Sequence, residues 1–119
     1  MGHPLGRLKR REDFLRVAAA RKKCVTNGFV LQACASPDNS DDLRVGFTAS
    51  RKVGGAVDRN RTKRRLRVAA ARVLPELGKP GTDYVLIGRR DTATMPFATL
   101  ENDLRQAVAK ISEARPIQK

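Results

Sequence analysis

Six of the nine residues at positions 59–67 are cations, namely Arg59, Arg61, Lys63, Arg64, Arg65 and Arg67, and no acidic residue stands between Asp58 and Glu76. The same stretch carries one apolar stripe. Leu66, Ala69, Ala70, Val73 and Leu74 recur at intervals of three and four, which predicts a helix with Asp58 as its N-cap, running to about position 74 and ended by Pro75 and Gly78. Such a helix must lay its narrow apolar face on a core. Its other face stays cationic, without the alternating signs that let i,i+4 pairs support a solvated helix. Arg59, Arg61 and Lys63 fall in the first turns, where the helix macrodipole disfavours a cation by roughly 0.3–1 kcal/mol. A bound anion reverses that cost, and a helix N-terminus lined with guanidinium forks is a phosphate site on physical grounds.

The whole chain supports a polyanionic partner. Its 119 residues hold one domain, expected over 1–119 with flexible ends at about 1–6 and 115–119. The formal charge is +13, with 18 Lys/Arg against 6 Asp/Glu before position 73 and 7 against 6 after it, so one face is basic and not the whole surface. A hydrophobic content of 40% is enough for a core, which sets the chain apart from a disordered basic tail. No apolar run approaches the ~20 residues that cross a bilayer. Glu12, Asp13 and Arg16 interrupt the N-terminal region where a signal peptide needs an apolar stretch, and the two acids count against a transit peptide, so the expected compartment is the cytoplasm. Cys24 and Cys34, with His3 far from both, have no zinc-site spacing and read as plain strand or buried cysteines. Asp38, Asp41 and Asp42 sit among turn formers, where acids are the default. With one histidine and no framed carboxylate pair, hydrolysis by the protein itself is not expected.

Apolar spacing over Leu8, Phe14, Leu15, Val17 and Ala18 predicts a first helix at 8–20, with Glu12 and Asp13 near its positive end. A hairpin follows: a strand at 24–26, a turn at Asn27 and Gly28, and a strand at Phe29–Ala35. The next strand is Leu43–Ala49, and residues 50–57, with Gly54 and Gly55, form a loop that lets a nucleic acid backbone come close. These glycines lack the order of a nucleotide P-loop. After the basic helix, Lys79, Pro80 and Gly81 make a turn, and 84–87 is a buried strand flanked by Asp83 and Gly88, completing a βαβ unit. Phe97, Leu100, Leu104, Ala107, Val108 and Ile111 then mark a third helix.

Residues 44–67, centred on Arg59, Asn60 and Arg61, resemble the signature of the bacterial ribonuclease P protein family, whose hallmark is Arg-Asn-Arg. The resemblance extends upstream through Glu12, Asp13 and Phe14 and downstream through positions 83–87. It implies a cytoplasmic single-domain α+β sandwich of order α-β-β-β-α-β-α, with a four-stranded mixed sheet and a left-handed βαβ crossover, against the ~98% right-handed expectation. It also implies an endoribonuclease whose catalyst is an RNA subunit holding Mg²⁺. The protein acts as cofactor, binding that RNA and the 5′ leader of precursor tRNA to promote maturation of the tRNA 5′ end, with no catalytic residue, metal ligand or small-molecule cofactor of its own. Carried over on matching positions, the RNA-facing set is Ser50, Arg51, Lys52, Arg59, Asn60, Arg61, Lys63, Arg64 and Arg67, and the leader cleft contains Phe14. A stacked base on Phe14 is worth about 1–3 kcal/mol; the same residue also reads as a core phenylalanine. Some relatives carry further aromatics where this chain has Ala18 and Gln32, so leader binding here leans on charge and hydrogen bonds, Gln32 among them.

Two other readings compete. A general RNA-binding protein, ribosome-associated or chaperone-like, uses the same basic helix on the same framework. A helix-in-groove DNA binder needs a paired turn helix or a dimerising heptad, and neither is present.

Overall fold

A computed structural model describes residues 4–37 and 41–113. In chain order these form β1 (Leu5–Arg7), α1 (Arg11–Ala19), β2 (Lys23–Val25), β3 (Phe29–Ala35), β4 (Leu43–Ala49), α2 (Ala56–Leu77), β5 (Thr82–Gly88) and α3 (Phe97–Glu113), with short 3-10 turns at Arg51–Val53 and Arg90–Ala93. The strands make one mixed sheet in the order β1-β4-β5-β3-β2. β4 and β5 are parallel neighbours joined through α2, whereas β3 runs antiparallel to both β5 and β2. The expected α+β architecture is present with five strands in place of four. The additional strand lies in the N-terminal stretch expected to be flexible to about position 6: Leu5 to Arg7 pair in parallel with Leu43 to Val45. Three residues have no periodicity to read, and β1 exists because β4 offers it an edge.

Alternation along the strands divides the apolar residues between two faces. Phe29, Leu31, Val45, Tyr84 and Leu86 point to one side and pack with Leu66, Val73 and Leu74 of α2 and Leu100, Leu104 and Ile111 of α3. Full burial of each such side chain stabilises the fold by about 1.5–3 kcal/mol. On the opposite side Leu8, Val17 and Val85 form a smaller cluster joined by Phe14, Cys34 and Ile87, so α1 and Leu8 before it cover part of that face. Cys24 belongs to the first side and Cys34 to the second; both are free thiols with the sheet between them.

Three helix boundaries differ from the sequence-based expectation. α1 starts at Arg11, not position 8, because Leu8 donates its backbone N–H to Val45 O at 2.9 Å and prolongs the β1–β4 pairing. α2 starts behind Gly55, which puts Asp58 inside the first turn and not at the cap. It also runs through Pro75 to Leu77, where the missing N–H deprives only the carbonyl of exposed Ala71 and Gly78 closes the end by donating to Leu74 O at 2.8 Å. At the end of α1, Arg21 has φ +61° and is the one non-glycine residue with positive φ among the described residues. Glycine is usual at that place after a helix, and a side chain in the left-handed region costs about 1–2 kcal/mol.

Candidate nucleic-acid interface

The helical period of α2 sorts its cations. Thr62, Leu66, Ala69, Ala70, Val73 and Leu74 are buried against the sheet and α3. Asn60, Arg64 and Arg67, at i, i+4 and i+7, point away together, with Arg61 beside them; all four are exposed and none of these three arginines is paired with a carboxylate among the described residues. Arg59 and Lys63 lie on one flank, half-buried, and Arg59 donates to Gly54 O at 3.2 Å, tying the helix to the loop before it. That loop needs glycine at 54, where φ is +142° and a Cβ would meet the Asp58 carboxylate at 2.4 Å. It carries Ser50, Arg51 and Lys52, all exposed. Arg65 is different. It donates to Ala93 O at 3.0 Å and Met95 O at 2.5 Å and lies 6.0 Å from the Phe97 ring, so this member of the cationic run holds α2 to the β5–α3 connection.

On the other face of the sheet, α1 and the strands enclose an open cleft of about 370 Å³. Arg11, Phe14, Leu15 and Ala18 form its wall, with Gln32, Thr48, Val85 and Ile87 below and Phe47 at the side. Phe14 rests on the floor: a Cβ at Gly46 would stand 2.5 Å from its Cζ, so the ring lies directly over a position that only glycine leaves open. The ring is half-buried, packing with the α1-side cluster and bordering the cleft. Gln32 of β3 also lines the cleft. The cleft meets a second hollow through Ile87, where Ser50 and Lys52 face Gly88, Arg89 and Arg90 at the C-terminal ends of the parallel pair β4 and β5. Arg89 and Arg90 were not singled out from sequence, although a basic pair directly after a buried parallel strand falls where open α/β sheets gather ligands.

A third element fixes α1 over this cleft. Asp83 is fully buried; Arg44 donates to both of its oxygens at 2.9 and 2.8 Å, and Arg16 of α1 donates at 2.5 Å. Arg16 also reaches Asp13 at 3.1 Å, Ala35 O at 3.1 Å and the Cys34 sulfur at 3.5 Å. Burial pulls the Arg16 guanidinium pKa down, but hydrogen bonds to Asp83 and Asp13 outweigh this and leave it above the ordinary arginine value. Arg44 is raised chiefly by its hydrogen bonds to Asp83. Among the described residues no group of three or more His, Cys, Asp or Glu side chains stands close enough to hold a metal ion, and no helix is long and apolar enough to cross a membrane. Asp38 and His3 lie outside the described residues, as do positions 115–119.

An α+β domain with an exposed cationic helix face on one side and an α1-walled cleft on the other defines a class of small polyanion-binding subunits. The ribonuclease P family model matches residues 4–112, and the chain belongs to that family, the protein subunits of an endoribonuclease ribonucleoprotein. It is 50% identical over 110 residues to the ribonuclease P protein component of Ruegeria pomeroyi, covering 92% of this chain and 88% of that one. It is 48% identical over 114 residues to that of Paramagnetospirillum magneticum, covering 93% and 86%. Among solved structures, the Staphylococcus aureus RNase P protein superposes with a TM-score of 0.71 at 27% identity, covering 90% of this chain and 94% of that one. The Thermotoga maritima RNase P protein does so with 0.70 at 26%, covering 92% and 97%.

Proposed function

We propose that this chain is the cytoplasmic protein cofactor of ribonuclease P, binding the catalytic RNA through α2 and the preceding loop, and the 5′ leader of precursor tRNA in the cleft under α1. The observation that carries it is the exposed row of Asn60, Arg61, Arg64 and Arg67, whose three arginines recur at i, i+3 with no carboxylate partner among the described residues, a like-charge spacing that destabilises a helix unless phosphates face it. Ser50, Arg51, Lys52, Arg59 and Lys63 extend this surface, and Arg89 and Arg90 link it to the cleft. In the cleft, Phe14 contributes an aromatic ring and Gln32 an amide, so one base stacks or is hydrogen-bonded while Arg11 answers a phosphate.

Catalysis then belongs to the RNA. Two polyanions, the RNA subunit and its substrate, must approach closely, and a basic protein between them lowers the repulsion that Mg²⁺ otherwise screens. The described side chains supply phosphate binding and leader positioning, and the hydrolytic chemistry of Mg²⁺ is supplied on the RNA. Reconstitution tests this: the purified chain added to ribonuclease P RNA at low Mg²⁺ should stimulate release of the leader from precursor tRNA. Binding of RNA without stimulation identifies a general RNA-binding protein instead.

A further inference from the structure

The cleft does not end at Gln32. Ala18 and Gln32 also line a further hollow of about 250 Å³, whose remaining walls are Arg21, Lys22 and Lys23. Lys23 stands directly opposite Gln32 in the antiparallel β2–β3 ladder, and opposed residues of such a pair share a face, so its side chain rises from the same floor. Arg21 and Lys23 are exposed and Lys22 is half-exposed; none of the three joins an ion pair among the described residues, and no carboxylate lines the hollow. Arg21 sits in left-handed backbone where glycine is the comfortable residue. A cation kept at the expense of local backbone preference marks a position whose side chain is used.

From this juxtaposition we infer that Arg21, Lys22 and Lys23 form a phosphate-binding exit of the leader cleft, holding the single-stranded 5′ leader several nucleotides upstream of the cleavage site. The inference rests on the cofactor reading and deepens it. Cationic ends flank a middle that is mostly apolar, with Arg11 at its wall: Lys52, Arg89 and Arg90 on one side of the cleft, Arg21 to Lys23 on the other. This is the charge pattern of a groove that tracks a single strand, with backbone contacts at the ends and a base contact between them. Crossing from β4 to β2 covers three strand spacings of ~4.8 Å, roughly 14 Å. At ~3.4 Å per stacked nucleotide the exit lies about four nucleotides from the β4 side.

Leader length is therefore the test. The holoenzyme reconstituted with wild-type chain, Arg21→Gly, or Arg21→Gly combined with Lys22→Ala and Lys23→Ala is titrated with precursor tRNA carrying a leader of about two or about eight nucleotides, lengths on either side of the estimated reach. For the long leader the triple variant should bind roughly tenfold more weakly, and the log–log salt slope should become shallower by about 2, at ~0.7 per lost phosphate contact. The short leader should bind the variants and the wild type alike. Arg21→Gly relieves the left-handed strain, so its melting temperature should equal or exceed that of the wild type, which separates lost binding from lost folding. Equal weakening for both leaders, or none for either, overturns the exit. If the wild-type chain fails to stimulate the RNA at all, the cofactor reading falls and the exit falls with it.

Discussion

Arg44 and Asp83 face each other across the parallel β4–β5 ladder, and the guanidinium grips both carboxylate oxygens of a residue with no exposed surface. Arg16 reaches the same carboxylate from α1, so one buried anion joins two strands to the helix that walls the cleft. Neutralising it leaves two part-buried guanidinium groups without their anion. Asp83→Asn should lower unfolding free energy by about 3 kcal/mol, the low end for breaking a buried pair because both arginines retain some solvent. Urea unfolding measures this, and a loss below about 1 kcal/mol would show the carboxylate to be dispensable.

The contact of Phe14 with Gly46 makes a coupled expectation. Gly46→Ala forces the ring off the cleft floor and should cost about 1–3 kcal/mol as overpacking. Phe14→Ala creates room for that methyl group, so the double variant should be less destabilised than the two single losses added together, by about 1 kcal/mol. Additive losses in thermal melts would mean that the ring does not rest on Gly46.

Acid stability has a local component on the far side of the sheet. The carboxyl pKa of Glu101 is lowered, first by its hydrogen bond from Arg72 and then by that from Arg105. A folded-state pKa below the unfolded one contributes stability that is full above the unfolded value and fades as pH falls through the folded value. Glu101→Gln should therefore flatten the acid limb of a stability–pH curve below about pH 4 and leave its shape at neutral pH unchanged. An unchanged acid limb in the variant would assign that stability to other carboxylates.

Binding of the RNA subunit should be steeply salt-dependent. If the α2 surface and its loop neutralise about six phosphates, log K falls against log salt with a slope of roughly −4 to −5. A nearly flat dependence, read by filter binding across a salt series, removes the electrostatic basis of the interface.

What could be read from the chain tracks how local the cause is. α2 and α3 were legible because Leu66, Ala69, Val73 and Leu100, Leu104, Ile111 repeat at helical spacing, and β3, β4 and β5 because apolar runs end at turn formers. β1 was not, since three residues become a strand only through Leu43 to Val45. Asp83 read as the flank of a strand; its role needs Arg16 and Arg44, 67 and 39 positions away. Arg65 was counted among the cations of the basic run, and nothing in that run signals that its guanidinium turns to the carbonyls of Ala93 and Met95. Arg21 and the pair Arg89 and Arg90 are ordinary basic residues until the strand order sets them at opposite ends of one cleft. Charge density was visible in the sequence, whereas its distribution around the cleft is a product of topology.

The central claim is that the exposed α2 arginines serve RNA at the expense of the helix. It is tested most directly by measuring affinity and stability on one protein, the Arg61→Ala, Arg64→Ala double variant. Affinity for ribonuclease P RNA should drop by roughly tenfold or more, with a shallower salt slope, while the melting temperature stays equal or rises slightly as like-charge repulsion among Arg61, Arg64 and Arg67 is relieved. Unchanged affinity together with a large loss of stability would contradict it, and would make these arginines part of the fold.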